Sequence, residues 1–184
     1  MIEKFLTELI GCFELQPTQH RDTRGKFVKT FQKEIYFQLG LQTDFKEDYY
    51  TISKKNVIRG MHFQLPPFDH EKLVYCVQGV AIDVVTDLRK GSPTFGKSIQ
   101  RELSVDQGNS IYIPKGFAHG FCALVEDTVI VYKVSTVHQP AADSGILWNS
   151  IGVKWPVNNP ILSTRDSAFV PYDEFVSPFD FLGK

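Results

Sequence analysis

Between residues 55 and 136 the chain is a series of short runs of β-branched and aromatic residues, each closed by glycine, proline or a pair of charges, and no stretch there asks for a long helix. Such runs cannot bury a face alone, so they must pair around a common core. Residues 72–88 read as two strands joined by a tight turn at Gln78-Gly79, and 98–103, 109–114, 117–124 and 128–136 as further short strands. The pattern predicts an all-β architecture, an antiparallel barrel or sandwich. Ahead of it, 1–15 reads as a strand, or a short helical turn before Gly11 and a strand after it. A polar turn at 21–27, a strand at 27–31 and a short helix at 32–40 follow. From 140 onward Pro, Asn, Asp and Ser dominate, which predicts loop with small helical or strand pieces packed on the barrel.

The stretch 57–67, Val-Ile-Arg-Gly-Met-His-Phe-Gln-Leu-Pro-Pro, sets polar groups on an apolar ribbon. Strict alternation puts His62 and Gln64 on one face and Arg59, Met61 and Phe63 on the other. Pro66 and Pro67 cannot extend a ladder, so His62 lies near a strand end, where cavities open. Taken alone, the segment reads as a single satisfied histidine in a sheet.

A length of 184 residues predicts one domain spanning 1–184. With 20 basic and 21 acidic residues, no nucleic-acid partner is indicated, whereas a small anionic ligand needs only a few local cations. Cys12, Cys76 and Cys122 are widely spaced among apolar neighbours and read as buried reduced thiols, which suggests the cytoplasm. Glu3, Lys4 and Glu8 interrupt the N-terminal segment, so neither a signal peptide nor a membrane span is expected.

Gly108, Pro114, Gly116 and His119 reproduce the spacing of the second cupin motif. The first cupin motif supplies two histidines one residue apart and a glutamate. Here the equivalent is His62-Phe63-Gln64 with no glutamate, so a three-histidine metal centre is incomplete and the site is expected to hold no metal. His70, beside Glu71, reads as a solvated loop residue.

A wider set of motifs occurs in order: Arg24-Gly25, Arg59-Gly60-Met61-His62-Phe63-Gln64, Lys72-Leu73-Val74, Ser92-Pro93-Thr94-Phe95-Gly96, Ile113-Pro114-Lys115-Gly116-Phe117-Ala118-His119-Gly120-Phe121, Tyr132-Lys133, Trp155-Pro156 and Asp166. Together they resemble the dTDP-4-dehydrorhamnose 3,5-epimerase family. The resemblance implies a cupin-type jelly-roll barrel with short peripheral helices, a homodimer with N-terminal strands added to the partner's sheet, and no cofactor. It also implies inversion of C3, C5 or both in a nucleoside-diphosphate-4-keto-6-deoxy sugar, by default dTDP-4-dehydro-6-deoxyglucose to dTDP-4-dehydrorhamnose.

By the same resemblance His62 matches the base, Asp166 the carboxylate that orients it, Tyr132 the proton donor and Lys72 the cation at the carbonyl oxygen. Arg24, Arg59 and His119 match substrate-contact positions, and Gln64 and Arg165 are expected to join them. If its segment is extended, Arg165 faces away from Asp166, towards a phosphate or the pocket wall. Asp83, among apolar neighbours, is expected to order Lys72 or a histidine. Departures fall at nucleotide or sugar contacts. Lys29 stands where the family commonly has glutamate, and Glu47 and Tyr49 where it has glutamine and asparagine. His138 replaces a tyrosine that stacks on thymine, and Asp143 a glutamate. These departures keep two alternatives open: a mono-epimerase acting on a CDP- or GDP-linked sugar, and a non-catalytic cupin that binds a sugar nucleotide.

Overall fold

The computed structural model describes residues 1–183 and sorts the short apolar runs into two facing antiparallel sheets. In chain order the elements are β1 (Ile2–Leu6), β2 (Phe13–Pro17), β3 (Gln19–Asp22), β4 (Gly25–Val28), α1 (Lys33–Gln38), β5 (Glu47–Ser53), β6 (Ile58–Gln64) and β7 (Lys72–Gln78). They continue with β8 (Val80–Asp87), β9 (Ser98–Ser104), β10 (Ser110–Ile113), β11 (Phe117–Ala123), β12 (Thr128–Val134), β13 (Asp143–Gly145) and α2 (Thr164–Ser167), with a 3-10 turn at Tyr172–Glu174. One sheet runs β1-β2-β10-β7-β12-β5 and the other β13-β6-β11-β8-β9, while β3 and β4 pair only with each other. This is the jelly-roll expected from the resemblance. Among the described residues no helix is long and apolar enough to cross a membrane.

Alternation within the strands builds three layers. Val74 and Cys76 of β7, Val85 of β8, Phe121 of β11 and Ile130 of β12 point between the sheets and form the central core. Leu73 and Tyr75, one step away on β7, face outwards and are covered by Tyr36 and Leu41 in and after α1. Met61, Phe63, Val84 and Ala118 face out of the second sheet and are covered by Ile146, Trp155 and Phe179 from the C-terminal segment. The Pro- and Asn-rich tail is therefore an outer layer, and it carries α2 to the back of β6. All three cysteines are free and buried.

Two local expectations are corrected. The segments on either side of Gln78-Gly79 form no hairpin, because β7 and β8 belong to different sheets. Gly79 makes the corner at φ +79°, and a Cβ there would sit 2.7 Å from the Thr128 hydroxyl. The strand expected at 27–31 ends at Val28 with the short β3–β4 hairpin. Phe31 instead packs edge-on against Tyr36 and Phe45, with ring centroids 4.8 Å and 5.4 Å away.

Strict alternation also fails along β6. Arg59 pairs with Phe121 and His62 with His119, so three steps on β6 oppose two on β11. The extra residue is a β-bulge, and it brings Arg59 round to the same cavity as His62. Gly60, at φ +146°, lies in this bulge so close to β11 that a Cβ would meet Gly120 Cα at 2.6 Å.

Candidate active site

Inward positions of the two sheets change character along the strands. On β7 they run from Cys76 and Val74 to Lys72, and on β12 from Ile130 to Tyr132 and Val134. Where the sheets part at this end, a cavity of about 460 Å³ opens, and both sheets supply titratable side chains to it.

His62 enters from β6. Its Nε2 lies 2.9 Å from Asp166 Oδ1, across 104 residues of sequence. Asp166 sits in the short helix α2, whose N-cap Ser163 hydroxyl accepts a hydrogen bond from the Asp166 N–H. Its second oxygen accepts the Gly60 N–H at 3.1 Å. Burial favours the neutral acid, but the bond and charge of the imidazole, with those from Gly60 and Ser163, hold the carboxyl below its ordinary value. An ionised Asp166 accepts only, so it fixes the proton on Nε2 and leaves the lone pair of His62 on Nδ1. Nδ1 makes no hydrogen bond among the described residues. Phe169 packs edge-on against the ring, with centroids 5.7 Å apart.

Tyr132 enters from β12 in the opposite sheet and is 7% exposed. Burial keeps its phenol well above the usual value, so it rests protonated. Tyr49 of β5 stacks on it, with centroids 4.9 Å apart and planes 15° apart. The Thr51 hydroxyl, also buried on the cavity wall, lies beside the Tyr132 phenol and opposes part of that rise.

Lys72 reaches between the sheets, and its Nζ donates to the His62 carbonyl at 3.2 Å. Burial pushes its ammonium down to about 8, with Asp143 and Asp83 opposing the shift. His119 lies across the β6–β11 ladder from His62 and binds Asp83 Oδ2 through Nε2 at 2.6 Å. Of the two partners expected for Asp83, it takes a histidine. Burial keeps His119 below its ordinary value despite that carboxylate. Arg59 is tied by Nε to the Ser53 hydroxyl and by Nη2 to the Ile52 carbonyl.

At the mouth, Glu47 accepts the His138 backbone N–H at 2.9 Å. Arg165 pairs with Asp143 at 2.7 Å and lies over the Phe169 ring. Its segment is the helix α2 and is not extended, yet Arg165 still lines the cavity. Gln64 lines it too, but its amide is already bonded to Phe68, His70 and Gln139. Among the described residues no group of three or more His, Cys, Asp or Glu side chains could hold a metal ion.

A family model described as dTDP-4-dehydrorhamnose 3,5-epimerase matches residues 6–174. A dTDP-4-dehydrorhamnose 3,5-epimerase of Shigella flexneri is 40% identical over 176 residues, covering 92% of this chain and 97% of the relative. The chain belongs to the dTDP-4-dehydrorhamnose 3,5-epimerase family. A solved family structure from Bacillus anthracis str. Ames, with TDP and PPi bound, superposes with a TM-score of 0.90 at 38% identity over 93% of this chain and 99% of that one. Another, a dTDP-6-deoxy-D-glucose-3,5-epimerase from Legionella pneumophila Philadelphia 1 in complex with dTDP-4-keto-L-rhamnose, gives 0.91 at 31% identity, covering 96% and 95%.

Two residues that the family resemblance brought forward lie elsewhere. Arg24 stands at the tip of the β3–β4 hairpin, paired with Asp22 and exposed to solvent. Lys29 lines a separate small cleft with Ile2, Thr18 and Phe27. Conversely, His70 is no solvated loop residue. It lines the cavity, accepts the Gln64 amide at Nδ1, and has a buried Nε2 with no partner. Burial drives it down to about 3, so it stays neutral. A sequence signal existed, since His70 stands two residues before Lys72 and shares its face in an extended chain.

Proposed function

We propose that the chain inverts C3 and C5 of dTDP-4-dehydro-6-deoxyglucose to give dTDP-4-dehydrorhamnose. One observation carries this reading: an aspartate-held imidazole and a protonated phenol enter one cavity from opposite sheets, with a buried ammonium beside them. The dTDP-4-keto-L-rhamnose bound by the Legionella pneumophila relative carries the 4-keto group that this chemistry needs.

In the proposed reaction the lone pair on His62 Nδ1 takes the proton from the carbon next to the 4-keto group. The C–H electron pair moves into the ring as the carbonyl π pair moves to oxygen, giving an enolate and an imidazolium held by Asp166. Lys72 holds the negative charge on that oxygen. Tyr132 returns a proton to the opposite face of the same carbon, and the configuration is inverted. The phenolate and imidazolium then restore their protons by exchange with solvent before the second carbon reacts. Atoms and charge balance without a redox partner, so no cofactor is required. Arg59 and His119 contact sugar or phosphate oxygens, and Glu47, Gln64, His138, Asp143 and Arg165 shape the mouth for the nucleotide. Three buried reduced thiols suit a cytoplasmic enzyme.

Incubation with dTDP-4-dehydro-6-deoxyglucose in deuterium oxide tests the reading. Label is expected at both C3 and C5 of an inverted product. Label at one carbon only would restrict the enzyme to a single inversion, and no exchange would remove the proposal.

We further propose a homodimer in which the β3–β4 hairpin docks on a second copy, bringing Arg24 and Lys29 to the other chain's cavity. Phe27 on this hairpin is 59% exposed, and Tyr50 and Ile52 leave an apolar face on the edge strand β5. Sedimentation velocity is expected to show two chains per particle, and a fully active monomer would refute this arrangement.

A further inference from the structure

Tyr49 and Tyr132 are direct cross-strand partners on β5 and β12. Their rings are close to parallel, with centroids 4.9 Å apart. His119 closes on Tyr132 from another side, edge-on at 6.0 Å and 70°. The Tyr132 hydroxyl lies at the far end of a ring that turns about only two side-chain torsions, so small rotations near the backbone swing it widely. With one ring face against Tyr49 and an edge contact to His119, those rotations are blocked.

Tyr49 contributes its ring and not its hydroxyl. It is 42% exposed, and its hydroxyl has no hydrogen-bond partner among the described residues. Its strand β5 lies at the sheet edge and pairs only with β12, so the register that sets Tyr49 opposite Tyr132 is local to these two strands. Aromatic pairs across an antiparallel ladder are also among its stabilising contacts.

We propose that Tyr49 is a positioning residue, which by stacking on Tyr132 fixes the phenol for return of the proton to the inverted carbon. The inference rests on the reading of Tyr132 as proton donor given above. Without the stacked ring the enolate still forms at His62, but the donor is misaimed, and the proton is more often returned from the side it left.

The test compares Tyr49→Ala, Tyr49→Phe and Tyr132→Phe in deuterium oxide, following label washed into recovered substrate and formation of inverted product separately. Tyr49→Ala is expected to lower kcat for inversion about ten- to a hundredfold, as misplaced catalytic groups do. Wash-in at the substrate is expected to persist and KM to move by less than about threefold. Tyr49→Phe, which keeps the flat ring, is expected to recover most of the lost rate. Tyr49→Leu, apolar but not flat, repeats the test should the alanine variant fold poorly, since persisting wash-in reports an intact His62 site.

A rise in KM at unchanged kcat would overturn the inference and make Tyr49 a substrate contact only. So would a phenylalanine variant as slow as the alanine variant, or wash-in and inversion falling together. Full inversion by Tyr132→Phe would instead refute the donor assignment itself, whatever Tyr49 does.

Discussion

His62→Ala is expected to lower kcat about 10²–10⁴-fold, the span typical of a positioned general base, while affinity for dTDP changes little. The proton of this imidazole is placed by a carboxylate, Asp166 Oδ1 at 2.9 Å, so that Nδ1 keeps its lone pair towards the cavity. His119 does not replace His62, because burial disfavours its charged form despite the Asp83 carboxylate. The substitution also leaves Asp166 buried without the imidazole, which costs about 1–3 kcal/mol of stability. His62→Gln, with an amide donor for Asp166, separates the two effects: it is expected to regain stability but not turnover. Steady-state kinetics and titration calorimetry with dTDP measure both. Turnover within tenfold of the parent in either variant would exclude His62 as the base.

Lys72→Met is expected to act in opposite directions on activity and stability. In the proposed mechanism, loss of the ammonium beside the enolate oxygen should cost about 10²–10³ in kcat, the usual effect of removing one oxyanion donor. Yet the ammonium is held near 8 by burial, against 10.5 for the free group, so the fold disfavours its charge. A shift of that size is worth about 3 kcal/mol as an order of magnitude. The sign follows from proton binding. Below pH 8 both folded and unfolded chains carry the proton and the cost is complete. Between about 8 and 10.5 the unfolded chain binds more protons, so stability rises with pH. Activity that needs the charged lysine falls over the same interval. The kcat/KM profile of the parent is therefore expected to decline above pH 8 while its thermal midpoint does not decline for this reason. The methionine variant is expected to melt no lower than the parent at pH 7. A variant that is both less stable and fully active would contradict each half.

The chain declared its sheets openly because strand residues here are β-branched or aromatic and the breaks are Gly, Pro or paired charges. Residues 98–103, 117–124 and 128–136 each lie within a residue or two of β9, β11 and β12. What was hidden is which strand meets which. Adjacent runs around Gly79 look like a hairpin, and nothing local shows that the chain turns there into the other sheet. The bulge at Gly60 was equally silent, since alternation is the default and one extra residue reverses it for Arg59. The burial of His70 is not local in origin: the chain folds back on Gln64, six residues earlier, and the distant region of His138 closes over it. The pairing of His62 with Asp166 came from family resemblance, as no spacing rule links residues 104 apart. Arg24 and Lys29 came from the same source, and within one chain they stand away from the cavity.

The outer layer that carries α2 has a temporal consequence. On the ribosome the imidazole at 62 emerges long before the carboxylate at 166, and every strand of both main sheets is synthesised in between or earlier. A barrel that closed before residue 166 was made would hold the proposed base unsteered, so in the proposed mechanism His62 is aimed only once α2 packs on the back of β6.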